Sequence, residues 1–77
     1  MLGEELRRLR RSLGLTLEVL ANEVSVSRSY LNLMELQAKK PLPVDIEKRI
    51  LVALDRLGFE QHEAVRAARA EILKRLQ

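Results

Sequence analysis

A chain of 77 residues is the length of one domain, and its 47% hydrophobic share with one Tyr, one Phe and no Trp predicts an aliphatic core. The absence of cysteine excludes disulfide bonds and thiolate chemistry, and the lone His62 cannot form a zinc cluster. Fourteen basic and eleven acidic side chains give a net charge of +3, which permits nucleic-acid binding. No apolar run approaches the roughly 20 residues of a membrane span and no signal peptide is visible, so the predicted location is cytoplasmic.

The N-terminal leucines predict the first helix. An apolar stripe with intervals of three and four residues is formed by Leu2, Leu6, Leu9 and Leu13. Gly14 is expected to end this helix, because a residue without a Cβ atom can take the left-handed conformation of a helix cap.

Two short helices with a tight connection are predicted next. Thr16 is the expected N-cap of the second helix, which runs to about Glu23, because its hydroxyl can accept a hydrogen bond from a free backbone amide. Ser27 is the expected N-cap of a third helix of about nine residues for the same reason. Ser25 and Val26 form the connection between these two helices.

Prolines mark a loop after the third helix. Pro41 and Pro43 cannot lie inside a helix, so residues 37–43 are predicted to be irregular. Asp45 is the expected N-cap of a fourth helix, which is predicted to end at Gly58.

The last part of the chain is predicted to be one amphipathic helix from about Glu60, because no helix breaker interrupts it. The apolar stripe of this helix consists of Val65, Ala68, Ile72 and Leu76. The stripe either covers the chain's own core or pairs with the same helix of a second subunit, and the small size of the chain favours pairing. The predicted fold class is therefore all-α, a compact bundle of about five short helices.

The second helix, the turn and the third helix match the geometry that places a recognition helix in the major groove of DNA. Further matches to a known family, in its order and spacing, occur at Leu6–Arg10, Gly14–Thr16, Leu20–Ala21, Val26–Leu31, Glu35 and Pro41. Residues 2 to about 57 therefore resemble the helix-turn-helix domains of the phage Cro and repressor type, also called the xenobiotic-response-element type. The resemblance implies a lambda-repressor-like domain over residues 1–57, and residues 58–77 form a C-terminal helix that belongs to this domain or dimerises it.

The resemblance implies sequence-specific binding of double-stranded DNA by a homodimer that regulates transcription, as a repressor more often than as an activator. The family contacts bases from the start of the third helix, where this chain has Arg28, Ser29 and Asn32. An Arg side chain can bond to guanine through two hydrogen bonds, and an Asn side chain can do so to adenine. Phosphate contacts are expected from Ser27, Lys39, Lys40 and Arg11, with Arg7 and Arg10 as weaker candidates.

Other single residues have structural expectations only. The resemblance implies that Glu35 is a structural residue that pairs with Arg7 or Arg10 of the first helix. Tyr30 is expected to brace the third helix, and His62 is expected to be an exposed helix residue without a special role. The sequence has no cysteine nucleophile, no histidine pair and no glycine-rich phosphate loop, so the chain is not expected to be an enzyme or to need a cofactor or metal.

The chain also departs from the family pattern. Leu17 replaces a glutamine that commonly contacts phosphate, and Ser25 and Gln37 replace glycines, so Ser25 must either take a strained left-handed backbone or alter the turn. An aliphatic patch is predicted beside the DNA-facing surface, formed by Leu17, Val19, Leu33 and Leu36. Exposed aliphatic surface more often contacts protein than phosphate. The alternative function is therefore a protein-interaction adaptor, inhibitor or antitoxin that docks through this patch.

Overall fold

The computed structural model describes residues 1–75 of the chain. These residues form five α-helices in the order α1 Gly3–Ser12, α2 Leu17–Val24, α3 Arg28–Leu36, α4 Val44–Arg56 and α5 Glu63–Arg75. The predicted all-α bundle of about five short helices is confirmed. None of these helices has the length and apolar character needed to cross a membrane.

The predicted starts of α2 and α3 are confirmed by their capping hydrogen bonds. Thr16 Oγ1 accepts the Val19 N–H at 3.1 Å before α2, and Ser27 Oγ accepts the Tyr30 N–H at 3.0 Å before α3. Gly14 follows α1 with a φ of +70°, the left-handed conformation expected of it. Local side-chain chemistry therefore determines where α2 and α3 begin.

The prediction that Asp45 caps α4 is wrong. The helix begins at Val44 with Pro43 as its N-cap, and no side chain makes a capping hydrogen bond there. The Pro43 carbonyl accepts the Glu47 N–H at 3.1 Å, so the helical hydrogen bonds begin before Asp45. Asp45 lies in the first turn instead, where its negative charge complements the helix dipole and pairs with Arg49 at 3.3 Å.

Helix α5 begins at Glu63, later than the predicted start near Glu60. The residues before it form a turn in which the His62 N–H donates to the Phe59 carbonyl at 2.9 Å. His62 Nδ1 accepts the Ala64 N–H at 3.2 Å. His62 is exposed as expected, but it precedes the helix and caps its first turn.

The core is aliphatic and receives side chains from all five helices. Its least exposed members, none above 1%, include Leu6, Leu20, Leu31, Ile50, Leu54 and Val65. Val65 comes from α5 and belongs to the same cluster as the side chains of α1–α4. Helix α5 therefore packs on the core of its own chain, between α1 and α4.

This packing uses part of the apolar stripe that was predicted as a possible dimer interface. Val65 is fully buried and Ile72 is only 6% exposed within the single chain, and Ala68 packs against the core. Leu76 lies outside the described residues. Val65 therefore belongs to the chain's own core, whereas Ala68 and Ile72 also line an open groove between α1 and α5, and the pairing of this stripe with a second subunit stays a prediction.

The loop between α3 and α4 lies against the start of α1. The Gly3 N–H donates to the Lys40 carbonyl at 3.1 Å, and the Glu4 N–H donates to the Ala38 carbonyl at 3.1 Å. A Cβ atom at Gly3 would lie 2.2 Å from the Met34 carbonyl oxygen, which no side chain permits. The close approach of α1 to the end of α3 therefore requires glycine at this position.

The Glu47 side chain of α4 is buried between the two ends of the described chain. The Glu47 side chain is 2% exposed and contacts both the amino group of Met1 and the Arg75 guanidinium, the latter at 2.5 Å. A buried carboxylate needs such partners, because an unpaired charge in the interior is costly. Glu47 therefore links α4 to the start of α1 and to the end of α5.

Candidate nucleic-acid interface

The turn between α2 and α3 is tight and strained. Ser25 has φ of 63° and ψ of 43°, the left-handed conformation, so the first of the two outcomes expected of this residue is the one that occurs. The Val26 N–H donates to the Ala21 carbonyl at 3.0 Å and closes the end of α2. A non-glycine residue in this conformation costs about 1–2 kcal/mol. The turn therefore takes the shape of a glycine-containing turn at a cost in stability.

The inner face of α3 is packed and the outer face is exposed. Leu31, Met34 and Glu35 are buried. Arg28, Ser29 and Asn32 are exposed. At 100° per residue, these exposed side chains fall within one arc of about 100° that excludes the buried residues of α3. The structure therefore brings the predicted base-contacting residues together on one accessible face of a capped helix.

A buried ion pair holds α3 against α1. Arg10 Nε donates to Glu35 Oε2 at 2.8 Å and Arg10 Nη2 donates to Glu35 Oε1 at 2.9 Å, a bidentate geometry. Arg10 Nη1 also donates to the Leu15 carbonyl at 2.8 Å. The hydrogen bond to Glu35 raises the pKa of Arg10 above its ordinary value, against the opposing effect of burial. Arg10 is therefore the first-helix partner of Glu35, and its guanidinium is already occupied within the fold.

The predicted phosphate contacts lie in three different parts of the chain. Ser27 is exposed at the start of α3, and its hydroxyl is used as the helix cap. Lys39 and Lys40 are exposed in the loop that follows α3, and Arg11 is exposed in the last turn of α1. The amides at the start of α3 and the loop lysines are groups that bind anions without reading sequence.

Lys39 has an acidic neighbour. Its Nζ atom lies 2.8 Å from Glu4 Oε1, and 83% of the Lys39 side chain is exposed. The hydrogen bond from Lys39 lowers the pKa of Glu4. This effect is larger than that of desolvation, which raises the pKa. An exposed pair of this kind is weak in water, so the ammonium can exchange a carboxylate for a phosphate.

The predicted aliphatic patch divides into two kinds of residue. Val19 is 43% exposed, Leu33 is 51% exposed and Leu36 is 65% exposed. Leu17 is partly buried and packs against the core. Leu33 and Leu36 lie on α3, on the same outer side as Ser29, whereas Val19 lies on α2.

A groove lies elsewhere on the surface. It encloses about 740 Å³ between α1 and α5, and Leu9, Ala64, Ala68 and Ile72 are among its apolar lining residues. No residue of α2 or α3 lines it. The exposed face of α3 is therefore not part of this groove.

Sequence reasoning missed Gly3 and the cap formed by His62. A glycine in the first turn of a helix weakens that helix, and this cost was the available signal that another backbone approaches closely. The side chain of His62 gave no comparable signal, because histidine is not among the preferred capping residues.

A comparison with protein families identifies the arrangement. A family model described as a helix-turn-helix domain matches residues 1–68. This match covers α1–α4 and the first part of α5. No curated protein and no solved structure matches the chain.

Proposed function

Because this chain belongs to the helix-turn-helix domain family, we propose that it binds double-stranded DNA sequence-specifically and regulates transcription. The observation that carries this proposal is the exposed face of α3 with Arg28, Ser29 and Asn32, opposite a buried face that is fixed to α1. A recognition helix needs both properties, since its outer side chains must reach base edges while its inner side holds its orientation.

The outer side chains of α3 have the chemistry of base recognition. In this proposal Arg28 donates two hydrogen bonds to guanine, Asn32 pairs with adenine, and Ser29 bonds to a neighbouring base edge. The free amides at the start of α3 and the side chains of Lys39, Lys40 and Arg11 contact phosphates. Glu4 competes with phosphate for Lys39, so it moderates the non-specific part of the affinity.

The proposed regulator acts as a homodimer. Its proposed role is that of a repressor rather than an activator. Two copies related by a twofold axis present their α3 helices to successive major grooves about 34 Å apart, which requires a roughly palindromic site. Such a dimer excludes polymerase from a promoter by occupying it. Because Val65 is buried within the chain, a dimer that uses α5 contacts Ala68 and Ile72 of the stripe or the outer face of this helix.

Selection of bound duplexes from a random-sequence pool at about 150 mM salt tests this proposal, because weak charge attraction is screened at this concentration. We expect a palindromic motif. Arg28→Ala is expected to lose preference at one position of each half-site, by about 5- to 150-fold, which corresponds to roughly 1–3 kcal/mol. Lys39→Ala is expected to weaken binding to all sequences and to flatten the dependence on salt by a slope of about 0.9.

Arg49→Ala is the matched control, because Arg49 is an exposed arginine of α4 outside the proposed DNA and dimer contacts. It should retain both the motif and its affinity. Equal losses on every sequence for Arg28→Ala and Lys39→Ala would remove Arg28 from the base contacts. Recovery of no motif by the unchanged protein would contradict the DNA-binding proposal as a whole.

The exposed aliphatic side chains favour a second candidate function. Val19, Leu33 and Leu36 expose apolar surface on α2 and α3, and such surface is typical of protein contacts. In this candidate the chain is an adaptor, inhibitor or antitoxin that docks a protein through these side chains. The duplex selection separates the two functions, since only the regulator enriches a DNA motif. An adaptor loses its partner on Val19→Gln or Leu36→Gln and keeps it on Val52→Gln, where the valine is 55% exposed on α4.

A further inference from the structure

Leu33 lies where a base-reading side chain is expected but cannot make a hydrogen bond. It follows Ser29 by four residues and Asn32 by one, so it lies on the same outer side of α3. Its side chain is 51% exposed, whereas Leu31 in the same helix is fully buried. Leu33 therefore contributes little to the core and presents apolar surface beside two polar side chains.

The chemistry of the major groove offers one partner for such a side chain. Among the four bases, only thymine carries an apolar group in this groove, the methyl group on its C5 atom. The remaining base-edge groups there are hydrogen-bond donors and acceptors, which a leucine cannot satisfy. We propose that Leu33 selects thymine by contact with this methyl group, an inference that rests on the DNA-binding function proposed above.

The geometry of α3 limits where this thymine lies. Four residues of helix advance about 6 Å, and consecutive bases on one strand are about 3.4 Å apart along the DNA axis. The thymine is therefore expected one or two base pairs from the base that Ser29 contacts.

The other exposed aliphatic residues are less suited to this role. Leu36 is the last residue of α3, about 10 Å from Ser29 along the helix, and Val19 belongs to α2. Recognition helices of this type contact bases from their N-terminal part, which is capped here by Ser27. Of the two exposed leucines of α3, Leu33 lies closer to that part.

The test removes single methyl groups from the DNA. Each thymine of the selected motif is replaced by uracil, which retains every hydrogen-bonding group and lacks only the methyl group. We expect one position per half-site at which this change weakens binding by about fourfold, the effect of one buried methyl group. At the same position, 5-methylcytosine is expected to bind more tightly than cytosine.

Leu33→Gln is the variant that assigns this effect to one side chain. It should bind the thymine and uracil duplexes equally, while Val52→Gln, which changes a comparably exposed aliphatic residue of α4, should keep the fourfold difference. Both positions are more than half exposed, so both variants should unfold at the temperature of the unchanged protein, which circular dichroism checks.

The possible results distinguish a failure of this inference from a failure of the proposed DNA-binding function. A selected motif without a methyl-sensitive thymine, or a uracil effect that persists in Leu33→Gln, overturns the assignment of Leu33 and leaves sequence-specific DNA binding intact. Failure to select any motif contradicts the proposed function, and the inference then fails with it.

Discussion

Replacement of Arg10 by methionine should destabilise the fold more than most single substitutions. The change removes the cation from Glu35, whose side chain is 3% exposed, and leaves its carboxylate buried without a partner. Removal of one member of a buried pair costs about 3–5 kcal/mol. A chain of this length is expected to be stable by only about 4–12 kcal/mol, so this single change removes roughly a quarter or more of the total.

A double-mutant cycle tests the physical reason for this loss. Glu35→Met alone should cost less, because the Arg10 side chain is 11% exposed and retains its hydrogen bond to the Leu15 carbonyl. The combined Arg10→Met and Glu35→Met variant should recover much of the stability, since apolar side chains of similar volume replace a buried ion pair at little net cost. Urea unfolding followed by circular dichroism measures all four proteins.

The pH dependence of the stabilisation by this ion pair follows from the direction in which the pKa of Arg10 is shifted. The pKa of Arg10 is raised in the folded state, so the stabilisation is complete below its ordinary value and is lost only as the pH rises through the raised value. The cost of Arg10→Met should therefore be constant across neutral and moderately alkaline pH. Additive single losses, with a coupling energy below about 0.5 kcal/mol, would refute the reasoning, because they would place Glu35 in contact with water.

Three further substitutions test the backbone and the surface. Ser25→Gly should raise the free energy of unfolding by up to about 1 kcal/mol, because relief of the left-handed strain exceeds the added chain entropy; an unchanged or lower urea midpoint would contradict this. Gly3→Ala should lower the melting temperature strongly, because its Cβ atom would meet the Met34 carbonyl oxygen; a melting temperature equal to that of the unchanged protein would show that α1 can move away. Glu4→Gln should release Lys39 and steepen the salt dependence of DNA affinity. Because Lys39 lowers the pKa of Glu4, any loss of melting temperature in this variant should be complete above the ordinary value of 4.5 and should disappear as the pH falls through the lowered pKa of the folded state; a loss that persists below that value would have another cause.

Those features of the fold that depend on neighbouring residues in the chain could be predicted from the sequence. Thr16 and Ser27 cap helices through amides three residues away, and Gly14 ends a helix through its own backbone freedom. The buried positions of the helices could also be predicted, because they follow the apolar periodicity of the sequence. The helix ends set by Thr16, Ser27 and Gly14 were therefore predicted well, whereas the equally short-range cap of His62 was missed because histidine is not a preferred capping residue.

Features that depend on distant parts of the chain were predicted less well. The need for glycine at position 3 is set by the backbone at the end of α3, more than 30 residues away in sequence. The apolar stripe of α5 could cover either the chain's own core or a second subunit, and nothing in the sequence decides between these two partners. For the same reason the sequence left Arg7 and Arg10 as equal partners of Glu35, a choice that only the packing of α1 against α3 makes.

The ion pair between Arg10 and Glu35 also has an evolutionary consequence. It attaches the buried side of α3 to α1, so the side chains that meet DNA in the proposed complex take no part in holding the helix. Substitutions at Arg28, Asn32 and Leu33 should therefore change the preferred operator at little cost in folding. Under the proposed function, a descendant of this protein can acquire a new target one amino acid at a time, and each intermediate remains a folded domain on which selection can act.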